Sequence, residues 1–311
     1  MEFLWDFFVA PFLDMIDFPI FLAEVAVSGL LTGVMYSLVA LGFVLIFKAS
    51  QVFNFAQGAM VLFAALTLVG LIEHGLPIWG ALPVTAIVMV GLAFAIERGM
   101  LRPLINQPPI TLFMATIGLS FLLEGAGEWA WGSNVKALDL GIPNSPVDVG
   151  GMLLNEFDLI AALVAAVLVA ALALLFQHTP MGRALRAVAD DPQAALSLGI
   201  SLRTIWIIVW SVAGIVAIVA GIMWGAKSGV QFSLSLIALK ALPVLILGGL
   251  TSVPGAIVGG LIIGLGEKVA EVYWGPVIGG AIENWFAYML AMLVLMFRPQ
   301  GLFGEKIIER V

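Results

Sequence analysis

The sequence has no cysteine among its 311 residues and few charged residues, at 11%. The absence of cysteine excludes disulfides, thiolate chemistry and metal sites built on cysteine. The two histidines, His74 and His178, are too far apart in the chain to suggest a histidine-rich metal cluster. Soluble domains carry about 25% charged residues, more than twice the share found here. Water is therefore not the main solvent of this chain.

Sequence motifs for catalysis are also missing. The chain contains no Gly-Lys dipeptide, so the phosphate loop G-x-x-x-x-G-K-[ST] is absent. Neither H-E-x-x-H nor G-x-S-x-G occurs, and no pair of carboxylates is placed as in a soluble cleft. We expect a protein that is not an enzyme and that binds no cofactor and no metal.

The N-terminal segment 1–19 has four acidic residues and no lysine or arginine. A signal peptide needs a basic first region, so we interpret this segment as mature protein. We expect an acidic amphipathic segment that lies at the membrane surface.

Apolar residues make up 62% of the chain and gather in long runs. A helix needs about 18–20 apolar residues to cross a membrane, and several runs reach that length. The candidate spans are 20–47, 53–72, 77–97, 110–131, 158–176 and 204–226, followed by a glycine-broken region at 236–266 and a last span at 282–297. The sequence predicts an all-α polytopic membrane protein of about eight to ten transmembrane or re-entrant helices.

The basic residues set the expected orientation. Arginines cluster at 98–102, at 183–203 and after the last span, whereas loop 132–157 has a single lysine. The positive-inside rule therefore places that loop outside and the C-terminus in the cytoplasm, with the N-terminus outside. We expect one transmembrane domain, 20–304, that contains a cytoplasmic loop at 177–203 and is followed by a cytoplasmic tail at 305–311.

The region 236–266 has two short apolar arms around the sequence TSVPG. We expect each arm to be about ten to fifteen residues long, too short for a full span, so that the chain enters the membrane and returns. One long helix kinked at Pro254 is the alternative. Paired short arms indicate a translocation region, and polar residues open the second span. The candidate path residues are Asn54, Gln57, Gly248, Gly249, Thr251, Ser252, Pro254 and Gly255.

Small residues and ionisable groups add two further expectations. The pairs Gly29/Gly33 and Gly255/Gly259 have the spacing that lets helix backbones approach closely. Lys240 lies near the start of the broken region, and intramembrane ionisable residues indicate functional sites. A structural ion pair is the alternative for that lysine.

The stretch TPMGRALRAVADDPQAALSLGIS, 179–201, is charged and contains two helix starts. Thr179 and Asp191 each precede a proline, which is the pattern typical of an N-cap residue followed by the first residue of a helix. We expect Gly199 to end the second helix in the left-handed conformation. Such a loop suits either a docking surface for a partner or an ordinary connection. The candidate coupling residues are Arg183, Arg186, Asp190, Asp191, Pro192, Leu198 and Gly199.

Four stretches together resemble the permease subunit of branched-chain amino acid ABC transporters of the bacterial high-affinity type. They are GLLTGVMYSLVALGFVLIFKASQVFNFAQGAM at 29–60, MGRALRAVADDPQAALSLGI at 181–200, LPVLILGGLTSVPGAIVGGLIIGLGE at 242–267 and FRPQGLFG at 297–304. The resemblance implies an importer in the bacterial inner membrane that carries branched-chain or hydrophobic amino acids. It also implies ATPase subunits that hold the ATP, a second related permease subunit and a periplasmic solute-binding protein.

Two alternatives stay open at this point. The family that the chain resembles also includes permeases for urea and short-chain amides. A stand-alone secondary transporter or channel is the alternative class of function.

Overall fold

The computed structural model describes residues 2–104 and 107–304. Within that part the chain forms thirteen α-helices and one two-stranded hairpin. The helices are α1 (Glu2–Phe8), α2 (Ala10–Asp17), α3 (Pro19–Ser50), α4 (Gln57–Glu73), α5 (Ile78–Ile96), α6 (Pro109–Trp131), α7 (Glu156–His178), α8 (Pro180–Asp190), α9 (Pro192–Ser197), α10 (Leu202–Ser228), α11 (Ile237–Gly248), α12 (Val253–Ile278) and α13 (Phe286–Phe297). The strands are β1 (Pro146–Val149) and β2 (Met152–Asn155). The expected tail 305–311 lies outside the described residues.

The described helices confirm the all-α membrane fold class. Six of them are long and apolar enough to cross a membrane, namely α3, α5 with the π-helical turn that follows it, α6, α7, α10 and α12. Three apolar helices are shorter, namely α4, α13 and α11 with the turn that precedes it. These nine segments fall within the expected number.

The second span begins later than predicted, at Gln57 instead of residue 53. Residues 51–56 are irregular, and Gln51 has a positive φ of 55°. The side chain of Asn54 accepts the N–H of Ala56 at 3.1 Å, a local bond that competes with the helical ladder. The polar residue at the start of this span thus delays the helix.

The broken region is broken as expected, but the second arm is longer than predicted. α11 ends at Gly248, and α12 starts at Val253 and runs for 26 residues, the length of a full span. The alternative of one kinked helix is wrong, because Pro254 lies in the first turn of α12, where a missing N–H breaks no helical bond. The helix continues through Gly266 and Pro276 to Ile278, so neither residue ends the arm.

The last span is shorter than predicted. A 3-10 turn occupies Ile282–Asn284, and α13 covers only 12 residues, Phe286–Phe297. At about 1.5 Å per residue this helix is about 18 Å long, less than the thickness of the hydrocarbon core.

A β-hairpin within 132–157 was not predicted. β1 and β2 pair antiparallel, with Val149 opposite Met152. Gly150 and Gly151 connect them with φ of 68° and 90°. Two positive φ angles are what a two-residue hairpin loop demands, and glycine adopts them without strain. The Gly-Gly dipeptide between apolar stretches was the available signal.

The chain divides into two compact units, each assembled from separated stretches. The described residues of the first unit are 2–37, 141–166 and 240–304, and those of the second are 38–104, 107–140 and 167–239. In the second unit α4 is the central helix, packed against α5, α6 and α10. A Cβ at Gly221 of α10 would lie 2.8 Å from the carbonyl oxygen of Val61, so glycine permits this close packing.

In the first unit α3 and α12 meet through glycines on both helices. A Cβ at Gly29 would lie 2.8 Å from the carbonyl oxygen of Gly264, and one at Gly33 would lie 2.5 Å from that of Gly260. Backbones approach this closely only where neither helix has a side chain. The glycine spacing of the sequence therefore marks real helix contacts, as predicted.

Candidate functional site

The stretch 179–201 forms the two capped helices that the sequence predicts. The Thr179 hydroxyl accepts the N–H of Gly182 at 3.2 Å at the start of α8. The carboxylate of Asp191 accepts two backbone N–H groups at the start of α9, from Gln193 at 2.9 Å and Ala194 at 3.0 Å. Gly199 has φ of 81°, the left-handed conformation expected at the end of the second helix.

The two arginines of α8 have different surroundings. Arg183 is exposed. Arg186 is half-buried, and its guanidinium donates to the carbonyl oxygens of Phe176 and Gln177 at the end of α7. Those carbonyls have no partner within their own helix, so Arg186 caps α7. Arg186 thus has partners within its own chain, and the part that either arginine plays in coupling stays a prediction.

The surface of α9 is apolar and acidic. Leu196 and Leu198 are 51% and 79% exposed, and Asp190 and Asp191 lie exposed at the start of the helix. Ala195, on the opposite side, is 1% exposed. A six-residue helix is too short to be stable alone, so this buried alanine and the two caps hold it. The exposed leucines are left to contact something else.

An unpredicted carboxylate joins the end of this stretch to a neighbouring turn. Glu97 is 2% exposed, and both of its carboxylate oxygens accept hydrogen bonds from the guanidinium of Arg102. The shortest of these N–O distances is 3.0 Å. Arg203 at the start of α10 lies 3.9 Å from the same carboxylate. Glu97 thus ties the loop's exit to the turn after α5. The only sequence signal was the opposite charge of Glu97 and Arg102, five positions apart, and of the distant Arg203.

The polar residues at the start of α4 are fully buried within the second unit. Asn54 and Gln57 are 0% exposed, and their side chains bond to each other at 3.3 Å. The Thr116 hydroxyl donates to the carbonyl of Phe53 and accepts the N–H of Phe55, both at 3.1 Å. Irregular backbone at membrane depth must be buried in protein or line a cavity, and here protein surrounds it.

One amide group of that cluster has no partner. Nε2 of Gln57 is buried and forms no hydrogen bond to any described residue. Gly42 leaves room for this amide, since a Cβ there would lie 2.8 Å from the side-chain carbonyl carbon of Gln57. A free buried donor is uncommon and asks for a ligand or a water.

The remaining candidate path residues belong to the break between α11 and α12, in the first unit. Gly248, Gly249 and Gly255 are buried, Thr251 and Ser252 are half-buried, and Pro254 is exposed. The Ser252 hydroxyl accepts the N–H of Gly255 at 3.0 Å as the N-cap of α12. The eight candidates therefore form two clusters, one in each unit.

The C-terminal segment completes this break, which the sequence did not suggest. The N–H of Leu302 donates to the carbonyl of Leu247 at 2.8 Å, and that of Phe303 to the carbonyl of Gly248 at 3.1 Å. Gly301 fits there because a Cβ would lie 2.8 Å from the backbone nitrogen of Gly249. The last carbonyls of α11 are thus satisfied by chain that follows α13.

Lys240 forms a structural ion pair, one of the two alternatives for this residue. Its ammonium lies 2.6 Å from a carboxylate oxygen of Glu267 and 2.9 Å from the carbonyl of Glu283. The Tyr36 hydroxyl donates to the same carboxylate oxygen at 3.2 Å. Tyr36 was missed, although it follows Gly29 and Gly33 on one face of α3. The network connects α3, α11 and α12.

Comparison with known proteins gives one consistent family. A family model described as the permease component of branched-chain amino acid transport systems matches residues 25–298. The chain is similar to the high-affinity branched-chain amino acid transport system permease protein BraD of Pseudomonas aeruginosa, with 30% identity across 92% of this chain and 96% of that protein. It is also similar to the permease protein LivH of Escherichia coli K12, with 28% identity across 91% and 96% of the two chains. A probable LivH of Methanocaldococcus jannaschii is 28% identical across 86% and 88%. No solved structure matches.

Proposed function

We propose, because the chain belongs to the family of permease components of branched-chain amino acid transport systems, that it is a transmembrane subunit of an ATP-binding-cassette importer. The solute is a branched-chain or other hydrophobic amino acid. The subunit lies in the bacterial inner membrane with its N-terminus outside and its C-terminus in the cytoplasm. The family match over residues 25–298, which takes in the six long apolar helices almost completely, carries this proposal.

The proposed assembly contains ATPase subunits, a second related permease subunit and a solute-binding protein. The chain has no phosphate loop, so ATP is bound and hydrolysed by the ATPase subunits. The binding protein delivers the amino acid to the outer face. This subunit contributes a wall of the path and the mechanical connection to the ATPases.

The surface of α9 is the proposed contact with an ATPase subunit. Two leucines are exposed there beside two aspartates, on a short helix that Asp191 caps at its start. Apolar side chains that are exposed in water favour burial against a partner. Arg183 adds an exposed positive charge on α8. Arg186 contributes indirectly, since it joins α8 to the end of α7.

Movement of α9 reaches the membrane helices by two routes in the second unit. Arg186 connects α8 to α7. Arg203 and Arg102 both face Glu97, and this connects α10 to the turn after α5. An ATPase that displaces α9 therefore displaces the cytoplasmic ends of several spans together.

The proposed path residues are those of the two clusters described above, one in each unit. The break at 249–252 and the irregular stretch 51–56 are places where backbone groups are not committed to a helix. Such discontinuities are the usual binding positions in transporters. The unpartnered amide of Gln57 is a donor available to a solute carboxylate.

Reconstitution tests the proposal. The permease would be purified with the proposed ATPase subunits, second permease and binding protein, and placed in liposomes. Uptake of labelled leucine is expected only when ATP is present on the side of the membrane that holds the ATPase subunits and the binding protein is present on the opposite side. Uptake by the permease alone would show a channel or secondary transporter and overturn the proposal. Uptake of urea instead of leucine would overturn the substrate class only.

A further inference from the structure

A cavity of about 440 Å³ lies between the N-terminal helices and α12, within the first unit. The indole N–H of Trp274 donates to the carbonyl of Phe7 at 3.0 Å, and the ring of Phe12 packs edge-on against the same indole at 5.5 Å. These contacts hold α1 and α2 against α12. The walls of the cavity are therefore helices that pack against one another.

Three polar groups line this cavity without partners. The carboxylates of Asp6 and Asp14 form no hydrogen bond or ion pair with any described residue. Tyr273 is 7% exposed, and its hydroxyl has no hydrogen-bond partner among the described residues. The two aspartates are exposed, so the tyrosine hydroxyl is the buried polar group of the three, and such groups are nearly always bonded in native proteins. A ligand that accepts from the tyrosine and donates to the carboxylates would satisfy all three.

The charge of the cavity selects a cation. The first 47 residues contain no lysine or arginine, and no basic side chain lines the cavity. Two carboxylates attract an ammonium group and repel a net anion. The rings of Phe18 and Phe21 also line the wall and suit a partly apolar ligand.

The surroundings of the cavity are those of a membrane interface. Large apolar side chains on α1 and α2 are exposed, namely Leu4, Trp5, Phe8, Phe12, Leu13 and Ile16. An amphipathic segment of this kind buries its apolar side at the boundary between headgroups and acyl chains. The unpaired carboxylates therefore lie at the level of lipid headgroups.

We propose that this cavity binds a phospholipid with a primary ammonium headgroup, such as phosphatidylethanolamine. The ammonium pairs with Asp6 and Asp14, and the Tyr273 hydroxyl donates to a phosphate oxygen. The acyl chains continue along the exposed apolar side chains of α1 and α2. A trimethylammonium headgroup has no N–H to donate, and phosphatidylglycerol brings a net negative charge, so both bind less well.

Lipid retention tests the site. The full-length chain would be placed in nanodiscs of equal phosphatidylethanolamine and phosphatidylglycerol and transferred to mild detergent, and the retained lipids counted by native mass spectrometry. The variants are the pair Asp6→Asn/Asp14→Asn and the single change Tyr273→Phe. Asp17→Asn is the matched control, because Asp17 is exposed at the end of α2 but does not line the cavity.

Wild type and the control are expected to retain phosphatidylethanolamine in preference. The Asn pair is expected to retain about fivefold less, the effect of losing surface ion pairs. Tyr273→Phe should weaken retention of both lipids, since the phosphate is common to them. Equal retention by wild type and the Asn pair would overturn the site. Release of the lipid from wild type by excess free leucine would overturn the lipid assignment and identify a soluble ammonium ligand instead.

Discussion

Changing both ends of α9 should uncouple the importer and leave the membrane helices intact. The double variant is Asp191→Ala with Gly199→Val. The first change removes an acceptor for two backbone N–H groups. The second places a β-branched residue at φ of 81°, a conformation that such residues rarely adopt. Both positions are exposed, and a Cβ at Gly199 would meet nothing within 4 Å, so insertion is expected to be normal.

The size of the effect follows from these two contacts. Loss of an N-cap costs about 1 kcal/mol, and a non-glycine residue held in the left-handed region costs about 1–3 kcal/mol. The sum, about 2–4 kcal/mol, exceeds what a six-residue helix has to spare. Burial of one alanine, Ala195, does not offset that loss. The helix is therefore expected to be largely unfolded in the double variant.

Two measurements check this prediction. Co-purification of the ATPase subunits with the variant is expected to fall at least about tenfold, the factor that corresponds to about 1.4 kcal/mol. ATP hydrolysis in liposomes should no longer respond to solute and binding protein. Gln193→Ala is the matched control, because Gln193 is exposed on the same helix and the change keeps both caps. Normal coupling in a stably inserted double variant would show that α9 is only a connection.

Three further predictions concern packing, charge and topology. Gly259→Leu should reduce the amount of folded protein, since a Cβ there would lie 2.6 Å from a carbonyl oxygen of α11; a normal yield would contradict the close packing. Lys240→Met should lower the free energy of unfolding by about 3–5 kcal/mol, and adding Glu267→Gln should restore most of that loss. Equal melting temperatures of the single and the double variant would refute a structural pair. Cysteines at Ser145 and Ser197 should react with an impermeant reagent outside only at Ser145; the reverse pattern would invert the topology.

Local features were predictable from sequence because a few neighbouring residues determine them. Thr179 and Asp191 cap their helices as predicted, since an N-cap needs only the residue and the next two or three N–H groups. The break before α12 was also predicted, because Pro254 and the glycines around it act locally. The lengths of α12 and α13 were not predicted correctly, since tertiary packing decides where a helix ends.

Contacts between distant residues were missed. In the sequence, Glu97 is one charged residue beside two arginines. No neighbouring residue indicates that the distant Arg203 faces its carboxylate. In the sequence, Tyr36 looks like an ordinary residue of a long apolar span. The structure shows that its hydroxyl lies 3.2 Å from a carboxylate oxygen of Glu267. Arg186 was a coupling candidate by sequence, and nothing local showed that it caps the end of α7. Sequence pattern gives the direction of a side chain but not the group that it meets.

The bonds from Leu302 and Phe303 to the end of α11 determine when, during synthesis, this part of the protein can finish folding. The carbonyls of Leu247 and Gly248 receive their N–H donors from chain synthesised some fifty residues later. Until those donors arrive, the carbonyls at the end of α11 lack these partners, and an unpaired carbonyl at membrane depth costs free energy. The ribosome must therefore finish nearly the whole chain before this part of the fold closes. A protein truncated just after α13 would keep every apolar helix and still lack a finished fold.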